Sequence, residues 1–147
     1  MAYNWRFPVD KIKLGSLFGL VDQWHKNPHR GIDYVAPEGT PIKACGDGKV
    51  IANEWSDGLG HVVIIQVGKW FFGSNHMVEK SPLAVGTAVK AGQVIGKVGN
   101  TGKFSAGAHL HQTLSLEPRG NFAGKVYCAH TFVTKMKAAE AKAKETA

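Results

Sequence analysis

His61-Val62-Val63-Ile64-Ile65-Gln66-Val67 is an almost unbroken run of β-branched, apolar residues. Such side chains fit a pleated surface, so the run reads as a central strand of a sheet. Trp70 to Asn75 follows across Gly68-Lys69 and reads as its neighbour. Upstream, Pro41 to Ala44 predicts a strand, Gly46-Asp47-Gly48 a tight turn, and Lys49 to Glu54 the returning strand, with Ser56 to Gly60 as the loop that leads on. Downstream, Val85 to Gly99 is paced by glycines into short strands and turns, a spacing that suits a small, sharply bent sheet. Asn100 to Ala108 has no apolar periodicity and predicts a loop that enters the strand carrying His109 and His111. The chain is therefore expected to be mostly β, with a small antiparallel sheet.

A length of 147 residues allows one well-buried core and is too short for two ordinary domains. Residues 1–133 are expected to form the folded domain. Residues 134–147, rich in Ala, Lys and Glu and without a large apolar residue after Met136, are expected to form a basic tail, either a frayed helix or disordered. No apolar run is long enough to cross a bilayer. The start, from Met1 to Lys11, lacks the apolar segment of a secretory signal, so the chain is expected to stay where it is made until something releases it. Cys45 and Cys128 match no zinc or redox spacing and read as buried free thiols. The formal charge of +7 favours anionic partners, but the basic residues are scattered and no nucleic-acid motif is present.

The chemistry-bearing residues fall in two places. Side chains two apart on a strand share a face, so His109 and His111 look into one space while Leu110 points into the core. In His29-Arg30-Gly31-Ile32-Asp33 an imidazole and a carboxylate lie four residues apart on a loop or bent strand. Two histidines and one aspartate, with water in the fourth position, make a catalytic zinc set, and the expected ligands are His29, Asp33 and His111. Zinc so held lowers the pKa of its water to about 7 and polarises a carbonyl. His109 is then placed to take a proton from the water or return one to a leaving amine. His76, at the end of the strand that starts Trp70-Phe71-Phe72, is a further proton carrier or a hydrogen-bond donor to an oxyanion. His25 and His61 read as structural or exposed, and His130 as a partly buried core histidine. Trp24, Trp70, Phe71 and Phe72 read as core, with Trp24 near enough to His29 to line a groove.

Beyond these pairs, a series of ordered motifs from about Phe18 to Leu116 resembles the lysostaphin and LytM type of zinc endopeptidase, which cuts peptide bonds in bacterial peptidoglycan. It comprises His29 to Asp33, Ala36-Pro37-Glu38-Gly39-Thr40-Pro41-Ile42, Gly48-Lys49-Val50, Val89 to Gly96, Gly99-Asn100-Thr101-Gly102, and Gly107-Ala108-His109-Leu110-His111. The resemblance implies a small antiparallel sheet with a loop-lined groove, Zn2+ on His29, Asp33 and His111, and catalytic roles for His76 and His109. It also implies peptidoglycan peptides as substrate. Two positions depart from the pattern: Ser74 stands where relatives often carry an aromatic residue, and Gln112 where they often carry Phe. By strand alternation Gln112 points away from the metal.

The expected setting is that of a bacteriophage endolysin, made in the infected host cytoplasm and reaching the wall after membrane permeabilisation, with the oligomeric state open and a monomer favoured over a dimer. The competing expectation is a non-catalytic, zinc-stabilised module that binds the cell wall without cutting it.

Overall fold

Strand β4, Gly60–Val67, runs through the middle of the molecule with both of its faces covered. Val63, Ile65 and Val67 belong to the larger core with Trp5, Tyr34, Phe72 and Leu110. Val62 and Ile64 face the other way, into a smaller cluster with Ala52 and Phe71. That double burial explains why the run is apolar throughout and does not alternate. Each such Val or Ile contributes on the order of 1.5–3 kcal/mol through its removal from water.

The computed structural model describes residues 2–21 and 28–146. β4 is flanked by β3 (Gly48–Ser56) and β5 (Trp70–Met77), and β5 turns back from β4 across Gly68-Lys69, as the sequence predicts. β8 (His109–Ser115) pairs with the far side of β5, and β1 (Ile32–Val35) pairs with β8 as the edge strand. With the short β6 (Ala88–Val89) beside β3, the six-stranded antiparallel sheet has the order β1-β8-β5-β4-β3-β6.

The hairpin expected between Pro41 and Glu54 does not form. β2 (Pro41–Lys43) pairs with β7 (Val94–Lys97) in a separate two-stranded sheet. The exchange of Ala44 N–H to the Gln93 carbonyl and Gly92 N–H to the Ala44 carbonyl extends that pairing. The bend at Cys45–Asp47 thus carries the chain from one sheet to the other and does not reverse it within one.

The C-terminal stretch is helical, one of the two forms expected for it. Helix α1 spans Ala129–Thr146 and starts before the boundary drawn at 133/134. Ala129 and Val133 are buried in the larger core, and Phe132 meets Trp5 and Trp70 at ring-centroid distances of 5.1 and 4.5 Å. Further along, the Glu140 carboxylate accepts the backbone N–H groups of Tyr3, Asn4 and Trp5 at 2.9, 3.0 and 2.8 Å. No helix among the described residues is long and apolar enough to cross a membrane.

Candidate metal centre

β8 lies between β1 and β5, and that placement builds the centre. In register, Asp33 sits opposite His111 on one side and Asn75 opposite His111 on the other. Residues directly opposite in an antiparallel pair share a face, so the Asp33 carboxylate and the His111 imidazole meet without any loop to bring them together. His111 Nδ1 is 3.0 Å from Asp33 Oδ1. His29, from the loop before β1, brings Nε2 to 3.0 Å from His111 Nδ1 and 3.4 Å from Asp33 Oδ1. All three side chains are buried, and one ligand atom from each lies within 4.8 Å of the others.

Gly31, between the two halves of the first motif, is required by close approach. A Cβ there would lie 2.4 Å from the Gln112 carbonyl oxygen and 2.8 Å from His111 Cε1, so any side chain would push the imidazole out of place.

The ring orientations are fixed by backbone. The His29 Nδ1–H donates to the Leu17 carbonyl at 3.1 Å, which leaves Nε2 as the lone-pair nitrogen aimed at Asp33 and His111. A carbonyl can only accept, so the bond selects the tautomer a metal needs. Burial opposes charge on the Asp33 carboxyl, but the neighbouring His111 and His29 imidazoles outweigh it and hold the group well below the usual carboxylate range. Burial likewise opposes charge on His29, yet Asp33 carries its pKa above the ordinary value. For His111 burial prevails and pushes the pKa down, despite the bond to Asp33. Two nitrogens and a carboxylate oxygen on one buried spot, with their remaining side open to a groove, fit a zinc ion with a free position for water or substrate.

His109 and His76 border the same spot. His109 Nε2 lies 3.8 Å from Asp33 Oδ1, while its Nδ1–H donates to the Gly107 carbonyl at 2.7 Å. The His76 ring is 4.9 Å from that of His109 and 5.9 Å from that of His111, and its Nδ1–H donates to the Thr101 carbonyl at 2.7 Å. His76 holds a left-handed φ of 61°, sparsely populated by non-glycine residues. Its N–H bond to the Leu59 carbonyl at 2.7 Å helps to hold it there. Burial drives its pKa down to about 4, against the favourable bond to Thr101. All five residues line one groove of about 970 Å³, walled by Phe104 and Ala106 of the loop before β8 and by Phe122.

All the site residues expected from sequence therefore lie together. The remaining expectations separate. His61 packs edge-on against Trp55 at 4.9 Å, and His130 stacks on Phe7 at 4.8 Å while bonding the Tyr34 hydroxyl at 3.0 Å. Both cysteines are free, Cys45 buried and Cys128 half-buried. Phe71 and Phe72 are core, with Trp70 packed against it. Trp24 and His25 lie outside the described residues. Gln112 points to the core, where its Nε2 donates to Cys45 Sγ at 3.3 Å. It sits opposite Ser74 in the β5–β8 register, so the two departures from the motif face each other across one strand pair.

Missed from sequence is the buried amide network behind His111. Asn75 Nδ2 donates to the His111 carbonyl at 2.9 Å and to Asn121 Oδ1 at 3.0 Å. Asn121 Nδ2 returns a bond to Asn75 Oδ1 at 2.8 Å, and Thr113 Oγ1 donates to Asn121 Oδ1 at 2.6 Å. Asn75 and Asn121 are far apart in sequence and share no motif, so no spacing signals them.

Comparison with known proteins follows the same lines. A model described as peptidase family M23 matches residues 27–121, a window that starts and ends later than the resemblance drawn from the motifs. The peptidoglycan DD-endopeptidase ShyC of Vibrio cholerae is 41% identical over 83 residues, which cover 56% of this chain and 19% of ShyC. Among solved structures, the catalytic domain of lysostaphin from Staphylococcus simulans superposes with a TM-score of 0.73 at 28% identity, covering 84% of this chain and 92% of that one. A zinc-containing peptidase from Vibrio cholerae gives a TM-score of 0.70 at 31% identity, covering 78% of this chain and 36% of that one. The match to the first curated relatives spans only 19% to 24% of their length.

Proposed function

The chain belongs to peptidase family M23, and from that premise we propose that it is a zinc-dependent endopeptidase that hydrolyses peptide bonds in bacterial peptidoglycan. The observation that carries this reading is the convergence of His29, Asp33 and His111 within 4.8 Å at the floor of an open groove, with two further imidazoles beside them. A zinc-stabilised wall-binding module would need the three ligands but not the open groove or the two further imidazoles.

His29 Nε2, Asp33 Oδ1 and His111 Nδ1 would hold the ion. When bound, zinc acidifies a water molecule and polarises the scissile carbonyl. His109 keeps its Nδ1 proton on the Gly107 carbonyl, so Nε2 is the atom that takes the proton of the attacking water and passes it to the departing amine. His76 works the other way from a resting donor. With its Nδ1 proton on Thr101 and its pKa down to about 4, Nε2 carries no proton at neutral pH. It therefore accepts a hydrogen bond from the water's second hydrogen and orients that water for attack, while His109 alone moves the proton. The groove admits an extended peptide and keeps the reacting groups close together.

The net charge of +7 suits the anionic polymers of a bacterial wall. The biological setting we propose is that of a bacteriophage endolysin, acting on the wall after the membrane is permeabilised. Digestion of purified walls by the parent chain, the metal-stripped chain and His109→Ala tests the enzymatic reading, with new amino termini identified by mass spectrometry. The parent alone should release them. Equal release by all three, or none by any, would overturn the proposal, and wall pull-down without release would favour a binding module.

A further inference from the structure

The segment from Lys13 to Leu20 lies outside the matched family window, yet its backbone is bonded to the two metal-site residues at the molecule's edge. Gly15 N–H donates to the Asp33 carbonyl at 2.8 Å, and Asp33 N–H donates to the Ser16 carbonyl at 3.1 Å. Gly19 N–H donates to the His29 carbonyl at 2.7 Å, and His29 N–H donates to the Leu20 carbonyl at 3.0 Å. Both backbone groups of His29 and both of Asp33 thus go to this one strap. The Leu17 carbonyl, from the same turn, takes the His29 Nδ1 proton. β1 is the edge strand of its sheet, so among the described residues its outer side has no other strand to set its position.

We propose that Lys13–Leu20 is a working part of the metal centre, a backbone strap that sets the spacing of His29 against Asp33 and selects the ligating tautomer of His29. The inference rests on the reading of His29, Asp33 and His111 as zinc ligands. A strap of this kind supplies what an outer-shell hydrogen bond supplies in other metal sites, where loss of the bond weakens metal binding by about 10–100-fold. The alternative is that the segment merely shields a sheet edge from pairing with other chains. The two differ in what they do to the ion, because edge shielding changes stability and leaves intrinsic zinc affinity untouched.

Gly19 gives the lever. Its φ is 78° and a Cβ there would meet nothing within 4 Å, so a substitution acts through backbone conformation and not through a clash. Asn enters the left-handed region readily, whereas a β-branched residue does not. Gly15→Ala is a milder second lever, since its Cβ would lie 3.1 Å from Val35 Cγ2 and 3.4 Å from Asp33 Cβ and would press the strap away from β1.

Zinc affinity is measured by competition with a chromogenic chelator for the full chain, Gly19→Asn, Gly19→Val and Gly15→Ala, with melting of the metal-free proteins recorded in parallel. Gly19→Val should bind zinc about 10–100-fold more weakly, Gly15→Ala should shift in the same direction, and Gly19→Asn should stay near the parent. Long-range nitrogen–proton spectra of the imidazoles should show His29 losing its single Nδ1–H form in Gly19→Val. Parent-like affinity in both Gly19→Val and Gly15→Ala, whatever their melting temperatures, would overturn the strap and leave the metal centre standing. A parent chain that binds no zinc would overturn both readings together.

Discussion

One strand step separates His109 from His111, and the sheet gives them different neighbours. His111 lies between Asp33 and Asn75 in register and is buried, whereas His109 is half-buried at the mouth of the strand. His111→Ala should therefore abolish both zinc retention, read by metal analysis after dialysis, and turnover. His109→Ala should keep one zinc per chain and lose about 10²–10⁴-fold in rate, a separation that a shared ligand role would not produce. His76 supplies a pH test. An unfolded histidine takes up its proton near 6.5, whereas the folded His76 resists until about 4, chiefly because it is buried. The unfolded chain thus binds more protons between those values, so His76 costs stability as pH falls through that window and nothing above it. His76→Asn, in which Asn suits the left-handed backbone, should lose less stability than the parent between pH 7 and pH 5. Urea midpoints of the metal-free proteins check this.

Elements, more than single residues, decide how the site is assembled. β8 carries the groove residues His109 and His111 and, beyond them, Thr113 on one face, and Leu110, Gln112 and Leu114 on the core face. Leu110, fully buried between the two histidines in sequence, anchors the strand. Leu110→Ala should cost about 2–5 kcal/mol by leaving a cavity, read from chemical denaturation. The strand character of β4, β5 and β8 and the shared face of His109 and His111 are legible in the sequence because both follow from local chemistry, β-branching and a period of two. The pairing of β2 with β7 is not legible, since Pro41–Ala44 and Lys49–Glu54 read equally well as a hairpin and only tertiary packing separates them. The strap on His29 and Asp33 escapes sequence reading because it is made by backbone groups, which every residue has. Gly31 was legible as a loop signal, but its reason, the imidazole lying against it, is visible only once β1 and β8 are paired. The packing of α1 was hidden because the Ala/Lys/Glu composition after Met136 advertises solvent, while Glu140 does its work by gathering three backbone N–H groups of the N-terminal segment. Glu140→Ala should destabilise the fold by at least about 1.5–3 kcal/mol, the range for a single hydrogen bond to a charged group, with activity of the remaining folded protein unchanged.

At the scale of the whole molecule, the three proposed ligands come from parts of the chain that the sheet holds at its edge. His29 precedes β1, Asp33 lies on it, and His111 lies on β8, so an ion held by all three would clamp the edge strand to the interior. The edge is also where the N-terminal segment attaches, and that segment is in turn fastened to α1 through Glu140. Loosening at the ion should therefore spread to the edge strand and the termini before it reaches β4, which is buried on both faces. A ligand that binds only the folded chain stabilises it by about 4 kcal/mol at a thousand times its dissociation constant. For a domain of this size each kcal/mol moves the melting temperature by about 2–4 °C. Chelation should then lower the melting temperature by roughly 8–16 °C, and zinc should restore it. The His111→Ala protein should melt at one temperature with or without chelator. Hydrogen exchange of the stripped protein should quicken first at the amides of Asp33 and Val35, which bond to the strap, and last at those of Val63 and Ile65. Uniform quickening across the sheet would mean that the ion supports the fold as a whole and does not act as a clamp on one edge.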